Sequence, residues 1–367
     1  MADEIFEYAM KWGRLLGAEI FDKGFKRTNK RVFLLVVLTA LTSIINIYDI
    51  YLFRGDPDRC IFCLLTISGQ VQGFAKFYSF IWLYKRIISL RRQSEKFHEH
   101  FSSEKTLKIF EEKFMIVAHL TAALTFLMVC TFILIASYPI IYFLIYNERI
   151  LHFGLELPLI DWKYSWIGYG INFIHQGGLL FVFICISLQT LYIIFCFVTS
   201  AICQFDALDV LLDELNELAI GNEDGSKNEE IHSRLIFLVQ IQTRVDHFLQ
   251  EMKQAFMIYY LIDILALIFQ KTVELYAIIS FNFIPGYMCV ACTGCLIFLP
   301  CAISSVLISK GDKFYTNLYN ISWRLMSIED QKTLRFIILN SKKSKGLAAG
   351  IRTLELSAFL EVNNLIS

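Results

Sequence analysis

The residue types that most often perform chemistry are sparse in this sequence and are not grouped as catalysis requires. Its seven His residues are scattered, and the closest pair, His98 and His100, lie two positions apart. On an α-helix that spacing turns the two side chains about 200° from each other, so we expect a solvated face and not a ligand pair. Membrane hydrolases and desaturases need clustered His, paired carboxylates or an activated nucleophile. The sequence therefore predicts no enzyme and no catalytic residue.

Cysteine is frequent, with ten residues, and forms two close groups. Cys60 and Cys63 make a Cys-x-x-Cys pair, while Cys289, Cys292 and Cys295 repeat at intervals of three. Structural zinc sites use closed sets of Cys and His, and no His lies near either group in the sequence. We therefore predict no metal site and no cofactor. A disulfide on an oxidising side and a role as small apolar packing residues both remain open for these cysteines.

Several ionisable residues interrupt otherwise apolar runs, where such groups are conventional indicators of function. Lys76 is the deepest, and we expect it to pair with a carboxylate, for which Asp263 is a candidate, or to face a wet cavity. Lys271 and Glu274 lie three positions apart on one helical face and could neutralise each other. The full set is Asp49, Lys76, His119, Asp263, Lys271 and Glu274.

The elements that carry these residues are too apolar for a soluble protein. The chain is 56% hydrophobic and 19% charged, with a mean hydropathy of +0.52, whereas soluble domains average about 45–50% apolar and 25% charged residues. The net charge of zero argues against a nucleic-acid binder.

A membrane-spanning helix needs roughly 20 apolar residues. We predict spans at residues 32–53, 60–84, 114–144, 170–202, 257–279 and 281–303, and a weaker seventh at 354–367. The acidic start of the chain predicts no cleavable signal.

The positions of the basic residues predict the orientation of the spans. Of the 34 Lys and Arg, 28 fall in residues 1–31, 85–113, 203–256 and 304–353, and only four fall in the alternate connections. Basic residues concentrate on the cytoplasmic side, so we predict a cytoplasmic N-terminus. This is the inverse of rhodopsin-like receptors, whose Asn-Pro in the last span is also missing. A transporter would show internal repeats with matching broken helices, and the two halves of the chain show no self-similarity.

The segments predicted to be cytoplasmic carry helical patterns of their own. Apolar residues recur at three or four positions from Phe205 to Leu218, from Leu235 to Phe256 into the fifth span, and again from Phe314. A polar linker at residues 221–230 separates the first two patterns, and Ser327 with Asp330 predicts a helix start. These amphipathic helices could bury their apolar faces within one chain or against another subunit. The pattern leaves both possibilities open.

The last fifth of the chain resembles the closing signature of insect odorant receptors. The residues that carry the resemblance are Leu318-Tyr319-Asn320, Trp323, Gln331-Lys332, Leu334, Phe336-Ile337-Ile338, Ser341, Leu347, Ala349-Gly350 and Leu356-Ser357-Ala358-Phe359, with Leu157-Pro158, Trp162 and Phe298-Leu299-Pro300-Cys301 fitting the same family. Gustatory receptors are the alternative family of the same topology, but their Thr-Tyr and Gln-Phe pairs are missing from the last span.

The resemblance implies an all-α membrane protein with seven spans, a cytoplasmic N-terminus and a cytoplasmic helical anchor. It further implies an odorant-gated, non-selective cation channel in the plasma membrane of sensory neuron dendrites, a heterotetramer with co-receptor subunits. Under this interpretation residues 1–31 are an N-terminal segment, 32–202 a ligand-binding bundle of four spans, and 203–256 and 304–353 anchor segments. Residues 257–303 hold two further spans, and 354–367 start a pore-lining span that is shorter than the bilayer core. The anchor residues are expected to be Leu318, Tyr319, Trp323 and Phe336.

The family places its ligand pocket in the outer half of the bundle, among the second, third, fourth and sixth spans. A small volatile needs an apolar pocket with few polar groups, and the many aromatic residues favour an aromatic or heteroaromatic odorant. The predicted orientation of each of these four spans shows which of its residues lie in the outer half, and these are the expected ligand-binding residues. They are Leu65, Ser68, Gln72 and Phe74, then Ile135, Tyr138 and Tyr142, then Phe173, Gln176, Gly177 and Leu180, and finally Tyr287 and Met288.

Overall fold

The computed structural model describes residues 2–22, 24–27, 29–101, 104–153, 155–222, 225–341, 346–350 and 352–366. Parts of the predicted linker, of the last anchor segment and of the last span (223–224, 342–345, 351 and 367) lie outside these residues. The described chain is helical almost throughout. Its helices are α1 (Ala2–Leu16), α2 (Lys30–Leu52), α3 (Pro57–Trp82), α4 (Tyr84–His100), α5 (Glu104–Tyr146), α6 (Trp166–Ile220), α7 (Asn228–Phe281), α8 (Ile284–Asn320), a 3-10 turn (Trp323–Leu325), α9 (Ile328–Ser341) and α10 (Leu356–Ile366).

Six of the described helices, α2, α3, α5, α6, α7 and α8, are long and apolar enough to cross a membrane. They coincide with the six strong spans predicted from the sequence, so the prediction of an all-α, multi-pass membrane fold is confirmed. The helix at the predicted seventh span, α10, has 11 residues. At 1.5 Å per residue it is about 16 Å long, which is short of the ~30 Å apolar core of a bilayer.

Helix α6 forms the centre of the bundle. Every residue from Ile184 to Val210 is buried, because other helices surround this stretch on all sides. An amphipathic surface helix buries only one stripe, whereas a helix that is apolar all round is a core element. The N-terminal helix α1, which the sequence analysis did not identify, covers part of α6. Its Ile5, Phe6 and Ala9 are buried, and the rings of Phe6 and Phe197 lie 5.6 Å apart.

Three of the membrane-length helices continue past the apolar region at one end of the bundle. We call the end with α4, α9 and the α6–α7 connection the inner end, and the end with the connection at residues 147–165 the outer end. The pattern from Leu235 to Phe256 predicted a helix that runs into the fifth span, and α7 confirms it. The helix predicted from Phe205 is the continuation of α6.

Polar contacts join the extended helices at the inner end. Lys310 of α8 pairs with Asp206 of α6, and the Asn317 amide donates to Asp209 Oδ1 at 3.1 Å. These bonds fix the lateral positions of helices whose apolar stripes already pack together.

Helix α9 begins at the predicted capping residues. The Asp330 backbone N–H donates to Ser327 Oγ at 3.2 Å, and Ser327 Oγ donates to Asp330 Oδ2 at 2.7 Å. This reciprocal pair satisfies an N-terminal amide that has no partner within the helix. The other carboxylate oxygen of Asp330 contacts His232 Nδ1 at 2.6 Å, which ties α9 to α7.

The segment before the last helix differs from the prediction of anchor helices up to residue 353. The strands β1 (Ala348–Ala349) and β2 (Arg352–Thr353) pair antiparallel between α9 and α10. Gly350 in the turn has φ +61, a conformation that glycine adopts without strain. Gly346 approaches α8 so closely that a Cβ atom would lie 2.7 Å from Ile308. Glycine therefore suits both positions.

Candidate functional site

Two adjoining cavities lie between the membrane-length helices. The larger cavity has a volume of about 130 Å³ and is bounded by α2, α3, α5, α6, α7, α8 and the connection between α5 and α6. The smaller cavity, of about 70 Å³, lies among α3, α5, α6, α7 and α8. Both are lined by Ile135, Leu180, Phe183, Gln270, Glu274 and Cys289. Because they share these side chains, we treat them as two lobes of one candidate site.

The walls of the site have the composition of a small-molecule pocket, which is mainly apolar with a few polar groups that orient the ligand. Apolar cavities of about 150 Å³ hold ligands of the size of benzene, so the volume suits a compact volatile. The remaining side chains of the larger cavity are Leu35, Val36, Thr39, Leu65, Thr66, Gly69, Gln70, Gly73, Phe74, Phe77, Phe153, Leu155, Gln176, Leu179, Val182 and Ile186.

Several of the residues predicted from the sequence line these cavities. Leu65, Phe74, Ile135, Gln176 and Leu180 border the larger cavity. The smaller one is bordered by Ile135 and Leu180 again and by Gln72, which α3 contributes. These residues come from three helices, and the structure brings them together.

The other predicted residues lie outside the two cavities. Ser68 is buried and donates to Leu65 O of its own helix, and a Cβ atom on Gly177 would meet open space. The Tyr138 ring packs edge-on against Phe283, and Tyr142 lies between Tyr138 and Tyr146. The Phe173 ring lies 4.3 Å from His152. Tyr287 is exposed and Met288 is half-buried.

The differences arise from helix rotation. Sequence topology predicts how deep a residue lies along a span, but not which way its side chain points. Tyr287 and Cys289 illustrate this point, because residues two apart on a helix point in nearly opposite directions. Tyr287 is exposed, whereas Cys289 is buried and lines both cavities.

Two helices that the predicted pocket did not include contribute to the site. Leu35, Val36 and Thr39 come from α2, and Gln270 and Glu274 come from α7. Glu274 carried a usable signal, since an acidic residue inside a span is a functional indicator. The apolar α2 residues carried none, because their position depends on how α2 packs beside α3.

The connection between α5 and α6 closes the outer end of the larger cavity with Phe153 and Leu155. Gln176 holds both residues, since its Oε1 accepts from Phe153 N at 2.9 Å and its Nε2 donates to Leu155 O at 2.5 Å. Gln176, predicted as a ligand contact, therefore uses both ends of its amide to hold this connection. Its role as a direct ligand contact stays a prediction.

Side chains of three helices fix the next residues of the connection. Asn172 Oδ1 accepts from Leu157 N, and Asp49 Oδ2 accepts from Glu156 N, both at 2.8 Å. Arg59 pairs with the Glu156 carboxylate at 3.0 Å. Asp49, one of the ionisable residues singled out in the sequence, is buried and its carboxylate bonds this backbone amide. Residue 153 and residues 155–157, with these bonds, form a segment that we call the outer cover.

His152 precedes the outer cover and is buried. Burial lowers the pKa of its imidazole from 6.5 to about 4, and the backbone of Ala136 offsets part of this effect. Desolvation disfavours the charged form of a histidine. The ring is therefore neutral at physiological pH and packs as an aromatic surface against Phe173.

A chain of hydrogen-bonded polar side chains lies in the wall of the two cavities. Gln72 Nε2 donates to Gln270 Oε1 at 2.5 Å, and Gln270 Nε2 donates to Glu274 Oε1 at 2.7 Å. Thr293 Oγ1 donates to Glu274 Oε2 at 3.0 Å. We call these four residues the glutamine-glutamate chain. The sequence indicated that Lys271 and Glu274 could neutralise each other, which stays a prediction, and the side chains that donate hydrogen bonds to the Glu274 carboxyl group are Gln270 and Thr293.

Lys76 and Asp263 form a buried ion pair, with Nζ 3.2 Å from Oδ1. Lys76 Nζ also donates to Ser187 Oγ at 3.2 Å, and Tyr259 OH donates to Asp263 Oδ2 at 3.0 Å. The predicted pairing of these two residues is confirmed. The Lys76 ammonium group lies 5.1 Å from the ring of Phe183, which lines both cavities. The ion pair therefore packs directly behind a side chain of the cavity wall.

The structure describes both cysteine groups and the pair of neighbouring histidines. All ten Cys have free thiols, and the described residues hold no group of three or more His, Cys, Asp or Glu that could bind a metal ion. His98 differs from the expectation of a solvated face. Its ring packs 4.8 Å from Phe110 and 5.7 Å from Phe114, because α4 folds back against α5. His100 is exposed as expected.

The four expected anchor residues divide into two kinds. Tyr319, Trp323 and Phe336 expose 54%, 42% and 62% of their surface, whereas Leu318 is 0% exposed. Leu318 packs in the core of its own chain beside Phe314, so it cannot contact a second subunit directly. We call the three exposed side chains the inner-end aromatic patch.

The fold and the site together define an all-α, multi-pass membrane protein with a small, largely apolar cavity among its spans. Solved structures with this fold include the olfactory receptor OR5 of the insect Machilis hrabei. Its complex with eugenol matches with a TM-score of 0.75 and 13% identity, over 99% of this chain and 96% of the other. The structure of OR5 described without eugenol matches with a TM-score of 0.76 and 12% identity, over 98% and 97%.

Sequence comparison identifies the family. The family model for the 7tm odorant receptors matches residues 59–366, so the chain belongs to that family. Among characterised relatives, Odorant receptor 30a of Drosophila melanogaster is 26% identical over 229 residues, which are 60% of this chain. The match spans 57% of the length of that relative. The resemblance seen in the C-terminal residues is thereby confirmed.

Proposed function

We propose that this chain is the odorant-binding subunit of a ligand-gated, non-selective cation channel. The observation that carries the proposal is the pair of adjoining cavities, apolar and sized for a compact volatile, inside a member of the odorant receptor family. OR5, which shares the fold, has been solved in complex with eugenol. The walls of the site here, with Phe74, Phe77, Phe153 and Phe183, favour an aromatic or heteroaromatic ligand.

The proposed channel is a heterotetramer of this chain with co-receptor subunits. The inner-end aromatic patch supports this assembly, because large exposed apolar side chains commonly mark interaction surfaces. In this arrangement the inner ends of α6, α7, α8 and α9 form the anchor, and α10 begins the pore-lining span. Residues 32–202 supply most of the ligand-binding bundle, with α7 and α8 completing it.

The charge distribution supports the orientation. The inner end carries the basic segments 1–31, 85–113, 203–256 and 304–353, which by the positive-inside rule lie in the cytoplasm. The N-terminus is then cytoplasmic, and the outer cover faces the outside. We propose the plasma membrane of sensory neuron dendrites as the location, where an odorant reaches the site from the outer side.

Gating follows from differential affinity. A ligand shifts a conformational equilibrium only as far as it binds one state more tightly than the other. The cavities lie between α5, α6 and α8, so a ligand that fills them favours a spacing of these helices that suits the open pore. The free energy of binding is thereby coupled to pore opening.

The test is to record current from cells that express this chain with a co-receptor, during an odorant panel. Leu180 borders both cavities, so Leu180→Trp fills them and is expected to abolish ligand-evoked current. Ile174→Trp, on an exposed face of the same helix, is the matched control and should respond like the unmodified receptor. Cation current evoked from this chain without a co-receptor would contradict the heteromeric assembly, and silence across a broad panel with a co-receptor would contradict the function.

A further inference from the structure

The glutamine-glutamate chain leaves one buried hydrogen-bond acceptor without a partner. Gln72 is fully buried and lines the smaller cavity. Its Nε2 donates to Gln270, but no group donates to its Oε1. Buried side-chain polar atoms are nearly always hydrogen-bonded, so an orphan at a cavity wall is a feature that a ligand can satisfy.

The direction of the hydrogen bonds determines which atom is left over. An ionised Glu274 only accepts hydrogen bonds, and in that state it accepts from both Thr293 and Gln270, so the Gln270 amide group points its NH₂ at Glu274. Its oxygen then faces Gln72, which must present its own NH₂ to that oxygen. Reversing the Gln72 amide would set two oxygens against each other. The position of Glu274 therefore imposes an acceptor, and not a donor, at the Gln72 end of the chain.

An unpaired acceptor in an apolar cavity favours ligands that carry a hydrogen-bond donor over ligands that carry none. A ligand with an O–H or N–H group donates to Gln72 Oε1 and removes the cost of an unsatisfied buried group. An ether brings another acceptor and an N-methylated ring nitrogen brings no donor, so both leave that cost in place. Sites built to bond a ligand O–H or N–H reject analogues without it far more strongly than apolar pockets reject a difference of one methyl group.

We propose that the odorants of this receptor are compact alcohols, phenols or N–H heteroaromatics that donate a hydrogen bond to Gln72 Oε1. This inference rests on the proposed function, and names the ligand class of the same site. The apolar part of the ligand occupies the space between Ile135, Leu180 and Phe183, which both cavities share. Gln72 thus sets specificity.

Gln70 provides a matched control on the same helix. It lines the larger cavity, its Oε1 accepts from Ser43 Oγ at 2.9 Å, and its Nε2 is the atom without a partner. Gln70 therefore offers a donor where Gln72 offers an acceptor. Its replacement removes a glutamine of similar burial without removing the acceptor that the proposal invokes.

The experiment compares pairs of ligands that differ by one methyl group on the donor. Phenol with anisole, benzyl alcohol with its methyl ether, and indole with N-methylindole are applied to cells that express the receptor with a co-receptor. In the unmodified receptor the donor compound of an active pair should open the channel at a concentration about tenfold lower than its methylated partner. Gln72→Met and Gln72→Leu are each combined with Gln270→Leu, so that the Gln270 oxygen freed by the loss of Gln72 Nε2 cannot replace the lost acceptor. Checked for surface expression, both variants should remove this difference in sensitivity. Gln70→Leu should keep the difference.

The outcomes separate this inference from the proposed function. Equal or greater sensitivity to the methylated compounds in the unmodified receptor overturns the inference alone, since the channel still opens. If the preference for the donor compound persists in both Gln72 variants, the assignment to Gln72 is overturned. The same holds if Gln70→Leu loses this preference and the Gln72 variants keep it. A receptor that reaches the surface and answers no compound of any class overturns the proposed function, and the inference with it.

Discussion

Single residues in the interior of this bundle carry charge that only a specific neighbour can compensate. Lys76 and Asp263 lie on different helices, and each is more than nine-tenths buried. Moving two charges out of water is costly, and their mutual attraction repays that cost only with good geometry and further hydrogen bonds. Ser187 and Tyr259 supply those bonds. Removing either partner therefore leaves a buried charge with no counterpart.

We predict that Lys76→Met destabilises the protein more than the double variant Lys76→Met with Asp263→Leu. Breaking a buried pair costs about 3–5 kcal/mol, whereas replacing both partners by apolar residues is often close to neutral. The measurement is the melting temperature of the detergent-solubilised receptor, followed by size-exclusion chromatography after heating. A double variant that melts at or below the temperature of the single variant would show that the pair does not have this role.

His152 predicts a pH dependence of stability. Its pKa is lowered to about 4 in the folded protein by burial, against about 6.5 for a solvated histidine. Between these two pH values the unfolded chain binds a proton that the native state does not, so stability falls as the pH falls from about 6.5 to 4. The contribution lost is about 3 kcal/mol.

This dependence can be measured as the melting temperature between pH 7.5 and 4.5. His152→Phe keeps an aromatic ring against Phe173 and cannot titrate, so its melting temperature should decline less on acidification. His119→Phe changes an exposed histidine and should decline as the unmodified protein does. Identical pH profiles for His152→Phe and the unmodified protein would refute the assignment.

Among the elements of the fold, the outer cover is a loop whose backbone is held by side chains of the helices. Loops usually satisfy their backbone groups with water at the surface, but here Gln176, Asn172 and Asp49 bond the backbone of residues 153 and 155–157. The side chains come from α6 and α2, so the cover connects two helices that flank the larger cavity. Its position is thus coupled to helix spacing.

We predict that Gln176→Leu loosens the outer cover. The variant leaves Phe153 N and Leu155 O without the partners they have now, at a cost of about 1–3 kcal/mol for each buried group left unsatisfied. Hydrogen–deuterium exchange of the peptide that contains residues 153–157 should become faster. Gln250→Leu, at an exposed position on α7, is the control. Unchanged exchange in Gln176→Leu would mean that the remaining bonds alone hold the cover.

At the scale of the whole molecule, the chain buries its central helix but leaves aromatic side chains exposed at the inner end. Residues 184–210 of α6 are surrounded on all sides, whereas Tyr319, Trp323 and Phe336 of α8, the 3-10 turn and α9 remain exposed. Exposure of apolar side chains is expected where helices face lipid. The inner-end aromatic patch lies on the segments that the charge pattern assigns to the cytoplasm, where such exposure favours contact with another subunit.

We predict that replacing Tyr319, Trp323 and Phe336 together by Ala weakens association with co-receptor subunits without unfolding the chain. Aromatic anchors at interfaces typically contribute about 2 kcal/mol or more each, so co-purification with a tagged co-receptor should fall at least tenfold. Leu318→Ala serves as the contrast, because it removes a core side chain and should lower the melting temperature of the protomer by a cavity effect. Undiminished co-purification of the triple variant would place the interface elsewhere.

The agreement between sequence and structure is good wherever a pattern is local. Helix α7 runs unbroken from the polar inner segment into its span because one periodicity covers both parts, and Ser327 caps α9 because a capping box needs only four consecutive residues. The hairpin at residues 348–353 was missed, since two strands of two residues each carry no periodicity. Helix α1 was missed too, although its buried residues follow a helical spacing.

Span length and hydropathy were enough to identify a multi-pass membrane protein, because they report directly on the solvent that each helix needs. The C-terminal residues identified the family, and the depth of the candidate residues along their spans stays a prediction. Which side chains meet became visible in the packed structure alone. Helix rotation turns Gln72 and Cys289 into the cavities and Tyr287 away from them, and the approach of α7 brings Glu274 to Gln72 across 202 positions of sequence. Rotation and approach depend on the packing of all the helices at once, which no local pattern contains.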